Sequence, residues 1–155
     1  MFTTPNLHFF TCGSAEAPTR LNSLDAALLT AGLGHANLLK ISSVLPPACR
    51  FSAPAVLPSG ALVPAAYAAI TSEMPGEVIS AAVAVAYPAD AAQPGVIMEY
   101  SARGHKEDIE AIVRRMAEEA MRLRGLDIRE IRSLAVQHRV EKIGSAFAAV
   151  VLWNA

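Results

Sequence analysis

The sequence predicts an α+β sandwich with mainly antiparallel or mixed sheets. Apolar runs of strand length outnumber the two segments with apolar residues at helical spacing. Neighbouring runs are mostly separated by short turns rich in Pro and Gly, as in layered β structure. The 155 residues are 53% hydrophobic, enough for one domain with a substantial core.

Residues 6–13, rich in Leu, Phe and Thr, read as a first strand, and 13–19 as a small, polar loop. Residues 21–31 carry Leu21, Leu24, Ala27, Leu28 and Ala31 at helical spacing. Thr19 or Asn22 caps that helix, and Gly32 and Gly34 stop it. A second strand is expected over 36–44. Residues 46–59 hold Pro46, Pro47, Pro54 and Pro58 and read as an extended loop. Two strands over 62–73 and 78–87 are expected to form a hairpin through Met74-Pro75-Gly76-Glu77. Residues 89–94 form a turn before a strand over 95–102. The clearest helix spans 105–125, with Ile109, Ile112, Val113, Met116, Ala120 and Leu123 as its apolar stripe. Glu107, Asp108 and Glu110 near its start, and Arg122 and Arg124 near its end, suit the helix dipole. Strands over 128–140 and 144–153 complete a chain with no repeat and no linker, a single domain over 1–155.

Composition narrows the function. Net charge is −1, and Arg114, Arg115, Arg122, Arg124, Arg129 and Arg132 alternate with acids, so no basic stripe marks a nucleic-acid face. A mean hydropathy of +0.35, much of it from alanine, points to tight packing or subunit contact. No apolar run reaches the roughly 18 residues of a membrane span. With no basic, cleavable start, a soluble cytoplasmic protein is expected. Cys12 and Cys49 have no metal spacing and are expected as buried thiols. His8, His35, His105 and His138 have no ligand spacing with each other or with the cysteines, so no metal site is expected. His35 reads as a loop histidine and His138 as structural. The glycines mark turns without a phosphate-loop pattern, and Ser14 and Ser23 lack a base for a hydrolase triad.

The most distinctive stretch is Ile41-Ser42-Ser43-Val44-Leu45-Pro46-Pro47. Taken alone, it is a strand that stops at a turn. Its context is Leu21-Asn22-Ser23-Leu24-Asp25 upstream, with Gly60-Ala61-Leu62-Val63-Pro64, Pro75-Gly76-Glu77 and Gly95-Val96-Ile97-Met98-Glu99-Tyr100 downstream. Together and in this order, these stretches resemble the pyruvoyl-dependent arginine decarboxylases, over about residues 7–153. The 37–47 and Met98-Glu99-Tyr100 stretches are the most specific. The resemblance implies a four-layer α-β-β-α sandwich, two sheets face to face with helices outside. It also implies sites built between neighbouring subunits of a homo-oligomer, a trimer or paired trimers.

Decarboxylating an amino acid requires a group that absorbs the electrons left at Cα. An α-dicarbonyl does so through a Schiff base with the substrate amine. The resemblance implies that this cofactor is a pyruvoyl group derived from Ser43. The chain would cleave between Ser42 and Ser43, giving 1–42 and 43–155. Asn37, six residues before Ser43, carries an amide suited to self-processing or substrate contact, though it also fits a strand edge. Glu99 is an ionisable group in an apolar strand. If buried, its carboxyl stays protonated near neutral pH and can serve as a general acid. The resemblance gives Glu99 the proton-donor role, and the competing reading is a strand glutamate facing water. It also gives Asp25 the substrate's guanidinium, since a planar fork of donors pairs well with a carboxylate. Ser42, the new chain end, would stay in the site. The expected reaction is L-arginine to agmatine and CO2. The alternatives are another amino-acid substrate, or an uncleaved structural or regulatory homologue.

Overall fold

In the strand Val78–Pro88 both faces are buried. Ala81, Val83, Val85 and Tyr87 enter one apolar cluster, while Ala82, Ala84 and Ala86 enter another. The strand Gly144–Trp153 behaves alike: Ala146, Ala148, Val150 and Leu152 share the first cluster, and Phe147, Ala149 and Val151 join a third. Successive side chains of a strand point to opposite faces, so a strand apolar at every position needs a layer on each side. Small alanines let those layers approach closely.

The structure, a computed structural model, describes residues 2–155. In chain order the elements are β1 (Leu7–Glu16), α1 (Arg20–Thr30), β2 (Asn37–Lys40), β3 (Val44–Leu45), β4 (Arg50–Phe51) and β5 (Leu62–Ser72). They continue with β6 (Val78–Pro88), β7 (Gly95–Arg103), α2 (Lys106–Leu123), β8 (Ile128–Arg139) and β9 (Gly144–Trp153). A mixed sheet runs β2-β5-β9-β1-β4, with β2 parallel to β5 and β4 parallel to β1. An antiparallel sheet runs β3-β7-β6-β8. One cluster fills the space between the sheets, a second lies under α1 and a third under α2. This is the expected α-β-β-α sandwich.

Both helices are capped as their ends require. Thr19 accepts from the Asn22 N–H, and Gly32 takes the left-handed conformation past the end of α1. Gln137 on β8 accepts from the first N–H of α2, at Lys106. The buried stripe of α2 is Ile109, Val113, Ala117, Ala120 and Met121; Leu123, expected on it, is exposed.

Three expectations are corrected. The strand expected over 36–44 is two strands in different sheets: β2 stops at Lys40, and β3 begins at Val44. Met74-Pro75-Gly76-Glu77 does reverse the chain, with Glu77 N–H donating to Met74 O and Gly76 at φ 84°. It joins strands of opposite sheets, however, and is not a hairpin. A tight turn fixes the reversal and leaves the hydrogen-bonding partner open. β5 and β6 are each buried on both faces, so they face each other across the core. Finally, the proline-rich loop contains β4, whose two residues pair with Leu7 and His8.

Candidate active site

The serine pair lies where the chain changes sheets. Lys40 pairs with Ala65, and Ile41 N–H donates to Ala65 O at 3.0 Å, the last tie to the mixed sheet. Across the gap, Ser43 O accepts from Ile97 N–H at 2.8 Å, and Val44 and Leu45 pair with Val96 and Gly95. Packed sheets stand about 10 Å apart, so the Ser42–Ser43 bond is strung between two anchored edges. Gly95 permits close docking of β3, because a Cβ there would lie 2.8 Å from Ala86 O and 3.2 Å from Leu45 Cδ2. Pro46 and Pro47 end the ladder, as proline has no N–H to give it. Ser42 is exposed and Ser43 half-buried. Among the described residues neither hydroxyl, nor the Ser42 carbonyl, has a hydrogen-bond partner.

Glu99 lies two residues beyond Ile97 on β7. Ile97 belongs to the inter-sheet cluster, and Met98 and Tyr100 pack toward α2, so alternation turns Glu99 to the inter-sheet side. It is half-buried. Burial raises its pKa above the ordinary glutamate value, while the positive charge of Lys40 opposes that rise. The Lys40 ammonium itself lies 4.8 Å over the Tyr67 ring.

The other two predicted residues are elsewhere. Asn37 opens β2, is exposed, and its Nδ2 donates to Gly60 O at 3.5 Å rather than to either serine. Asp25 is exposed on α1, which packs on β1, β9 and β5 across the mixed sheet from the inter-sheet space. Leu21 and Leu29, one helical turn to either side, are 77% and 61% exposed. One protomer therefore ties Ser43 to β7 two residues from Glu99, and carries Asp25 on an outward, partly apolar helix face.

Sequence reading missed Ile97, Gly95 and Lys40. Ile97 acts through its backbone N–H, which leaves no side-chain signal. Gly95 and Lys40 matter only once β3 and β2 are known to flank the crossover. His35 is held by Leu57 O at 2.8 Å, and His138 pairs with Glu16 at 2.6 Å; both have structural partners. Cys49 is buried, Cys12 is half-buried, and both are free thiols.

The sequence pattern of the pyruvoyl-dependent arginine decarboxylase family matches residues 7–155. The chain belongs to that family. A pyruvoyl-dependent arginine decarboxylase of Methanocaldococcus jannaschii is 48% identical over 152 residues, covering 98% of this chain and 92% of its own. One from Methanococcus maripaludis is 43% identical over 152 residues, covering 98% and 93%. One from Pyrococcus abyssi is 39% identical over 155 residues, covering 98% of each chain.

Proposed function

We propose that this protein cuts itself between Ser42 and Ser43, forms a pyruvoyl group from Ser43, and converts L-arginine to agmatine and CO2. The observation that carries this is the serine pair, anchored on both sides and beside a half-buried carboxyl, in a chain of this family.

Ser43 Oγ attacks the Ser42 carbonyl carbon. The Ser42 C–N bond breaks, leaving an ester and a free amine on residue 43. Loss of the Ser43 Cα proton expels the Ser42 carboxylate and leaves dehydroalanine. Tautomerisation and addition of one water release ammonia, and residue 43 becomes pyruvoyl. The anchors suit this sequence. Ser43 O is held by Ile97, while the Ser42 carbonyl stays free to be attacked. The oxyanion formed in that attack needs a hydrogen-bond donor.

The residues fit the group. Ser43 is half-buried at an open edge that admits an amine, and the strand holding it carries apolar Ile97 and, two residues on, the Glu99 carboxyl, whose pKa burial raises. When formed, the pyruvoyl group supplies the electron sink for the carbanion left by CO2. Glu99 holds a proton at its carboxyl and delivers it to Cα. Asp25 on a neighbouring copy receives the guanidinium, with exposed Leu21 and Leu29 beside it for the aliphatic chain. The assembly is a homo-oligomer whose sites lie between protomers, a trimer or paired trimers.

A Ser43→Ala chain tests the reading. It should stay in one piece and form no agmatine. Agmatine formation by that variant would overturn the assignment of Ser43.

A further inference from the structure

The short edge strands leave the far end of the inter-sheet opening uncovered. β2 pairs with β5 only as far as Ala65, and β3 pairs with β7 only at Gly95 and Val96. Among the described residues, the rest of β5 and β7 has no strand on that side. Side chains cap the bare carbonyls instead. Ser101 Oγ donates to Ala69 O and Arg20 Nη2 to Thr71 O, each at 3.2 Å. The opening ends in a cleft of about 570 Å³, where Pro75-Gly76-Glu77 turns the chain.

Two ion pairs flank the cleft, and they differ. Arg20 and Glu73, 3.3 Å apart, are both more than half exposed, and such a pair contributes little. The Glu77 side chain is only 14% exposed, whereas Arg103 is 77% exposed. Their single contact, Nε to Oε2 at 3.5 Å, is the only ion pair Glu77 makes among the described residues, and its carboxylate accepts no hydrogen bond there. A carboxylate so far removed from water is stabilised by two or more close donors. Glu77 has one distant cation at an open rim. Ile70 and Met74 add apolar surface to the same cleft.

We propose that this cleft is a second binding site, for an alkyl cation. An amine or guanidinium head pairs with Glu77, and the aliphatic chain lies on Ile70 and Met74. The choice of ligand rests on the proposed reaction, whose substrate and product both carry such a head. The site is separate from the serine crossover. Glu99 and Arg103 are four residues apart on β7, about 13 Å of strand, too far for one amino acid to serve both ends.

Titration calorimetry of the cleaved wild-type protein with agmatine tests this. Two agmatine sites per protomer are expected. Glu77→Gln should weaken one of them at least tenfold while leaving arginine turnover within about twofold. Asp25→Asn should weaken the other. Arg103→Glu, an exposed change that adds a carboxylate, should tighten the Glu77 site at least fivefold, and it decides the matter if Glu77→Gln does not fold. L-Arginine titrated into the Ser43→Ala chain, which cannot turn it over, shows whether substrate also fills the cleft. Binding of either molecule that responds to Glu77 and Arg103 supports the site. A single agmatine site, lost in Asp25→Asn and unmoved by Glu77→Gln and Arg103→Glu, with no L-arginine response to either change, overturns it. Failure of the decarboxylation proposal would read differently, as a protein that binds at Glu77 and forms no agmatine.

Discussion

Ser43 is tied by one backbone hydrogen bond to Ile97, two residues before Glu99, and the chemistry proposed for Ser43 and Glu99 follows from their surroundings. Burial favours the neutral form of Glu99, so its pKa lies above the ordinary glutamate value. In the proposed role the acid form is the one that works. Turnover is therefore expected to fall as pH rises through that raised pKa, a limb that kcat measured against pH should show. Glu99→Gln should still cleave and should lose about 10²–10⁴-fold in kcat; full turnover would remove Glu99 as the acid. Asp25→Asn should raise the arginine KM about 10–100-fold with little change in kcat, the loss expected for one charged hydrogen bond. Unchanged arginine kinetics would sink its role. A different residue contributes to acid sensitivity. His8 is fully buried and its Nε2 lies 2.7 Å from Tyr87 Oη. Desolvation outweighs support from the Arg50 backbone and lowers its pKa from 6.5 to about 4. The unfolded chain thus binds the proton first, and stability is lost as pH falls from about 6.5 towards 4, by about 3 kcal/mol in all. Urea melts at pH 7 and pH 4 read this directly, and His8→Gln should flatten the difference.

At the scale of the elements, the turn between β8 and β9 is pinned by one side chain. Glu16 accepts from the N–H groups of Glu141, Lys142 and Ile143 and pairs with His138. Burial opposes its ionisation, yet these donors prevail and bring its pKa to about 2. Its contribution is present above the usual glutamate range and is lost as pH falls towards 2, in the same direction as that of His8. Gly144 is required there, because a Cβ would meet the Glu16 carboxylate and the His138 ring. In the core, Phe147→Ala should cost about 3–5 kcal/mol, since Phe147 is fully buried beneath α1. Thermal or denaturant melts check this value. Most elements were legible because periodicity records which faces are buried. The split at Ile41 to Ser43 was not, because an apolar run reads alike whether it stays in one sheet or crosses to another. The β5–β6 turn was misread for a related reason: Pro75-Gly76 encodes a reversal and carries no information about pairing. Within the candidate site, Ser42, Ser43 and Glu99 were singled out through the family resemblance, since locally the serine pair reads as a turn and Glu99 as a strand glutamate, whereas the Ile97 anchor is a backbone group. Asp25 and Asn37 were singled out through the same resemblance, and both are exposed in this chain, Asn37 beside Gly60 O.

The whole molecule explains how a cut chain can remain a folded protein. Residues 1–42 supply β1, α1 and β2, and β1 lies between β9 and β4 within the mixed sheet. Leu7 and Phe9 bury their side chains under α1, so the fragment is part of the core and not an appendage. The proposed cleavage would leave both pieces their strand partners, since Ile41 is tied to Ala65 and Ser43 to Ile97. The two fragments should therefore co-elute in native size-exclusion chromatography and separate only on denaturation. In the proposed assembly, the exposed Leu21-Asp25-Leu29 face of α1 would be the docking surface for a second copy, joining assembly to substrate selection. All of this depends on one event at one bond, and the denatured mass of the purified protein reports it. The account predicts two species, 1–42 and 43–155, with the larger lighter by one ammonia than plain hydrolysis would leave it. A single full-length mass after long incubation would contradict it and make the chain an uncleaved member of its family.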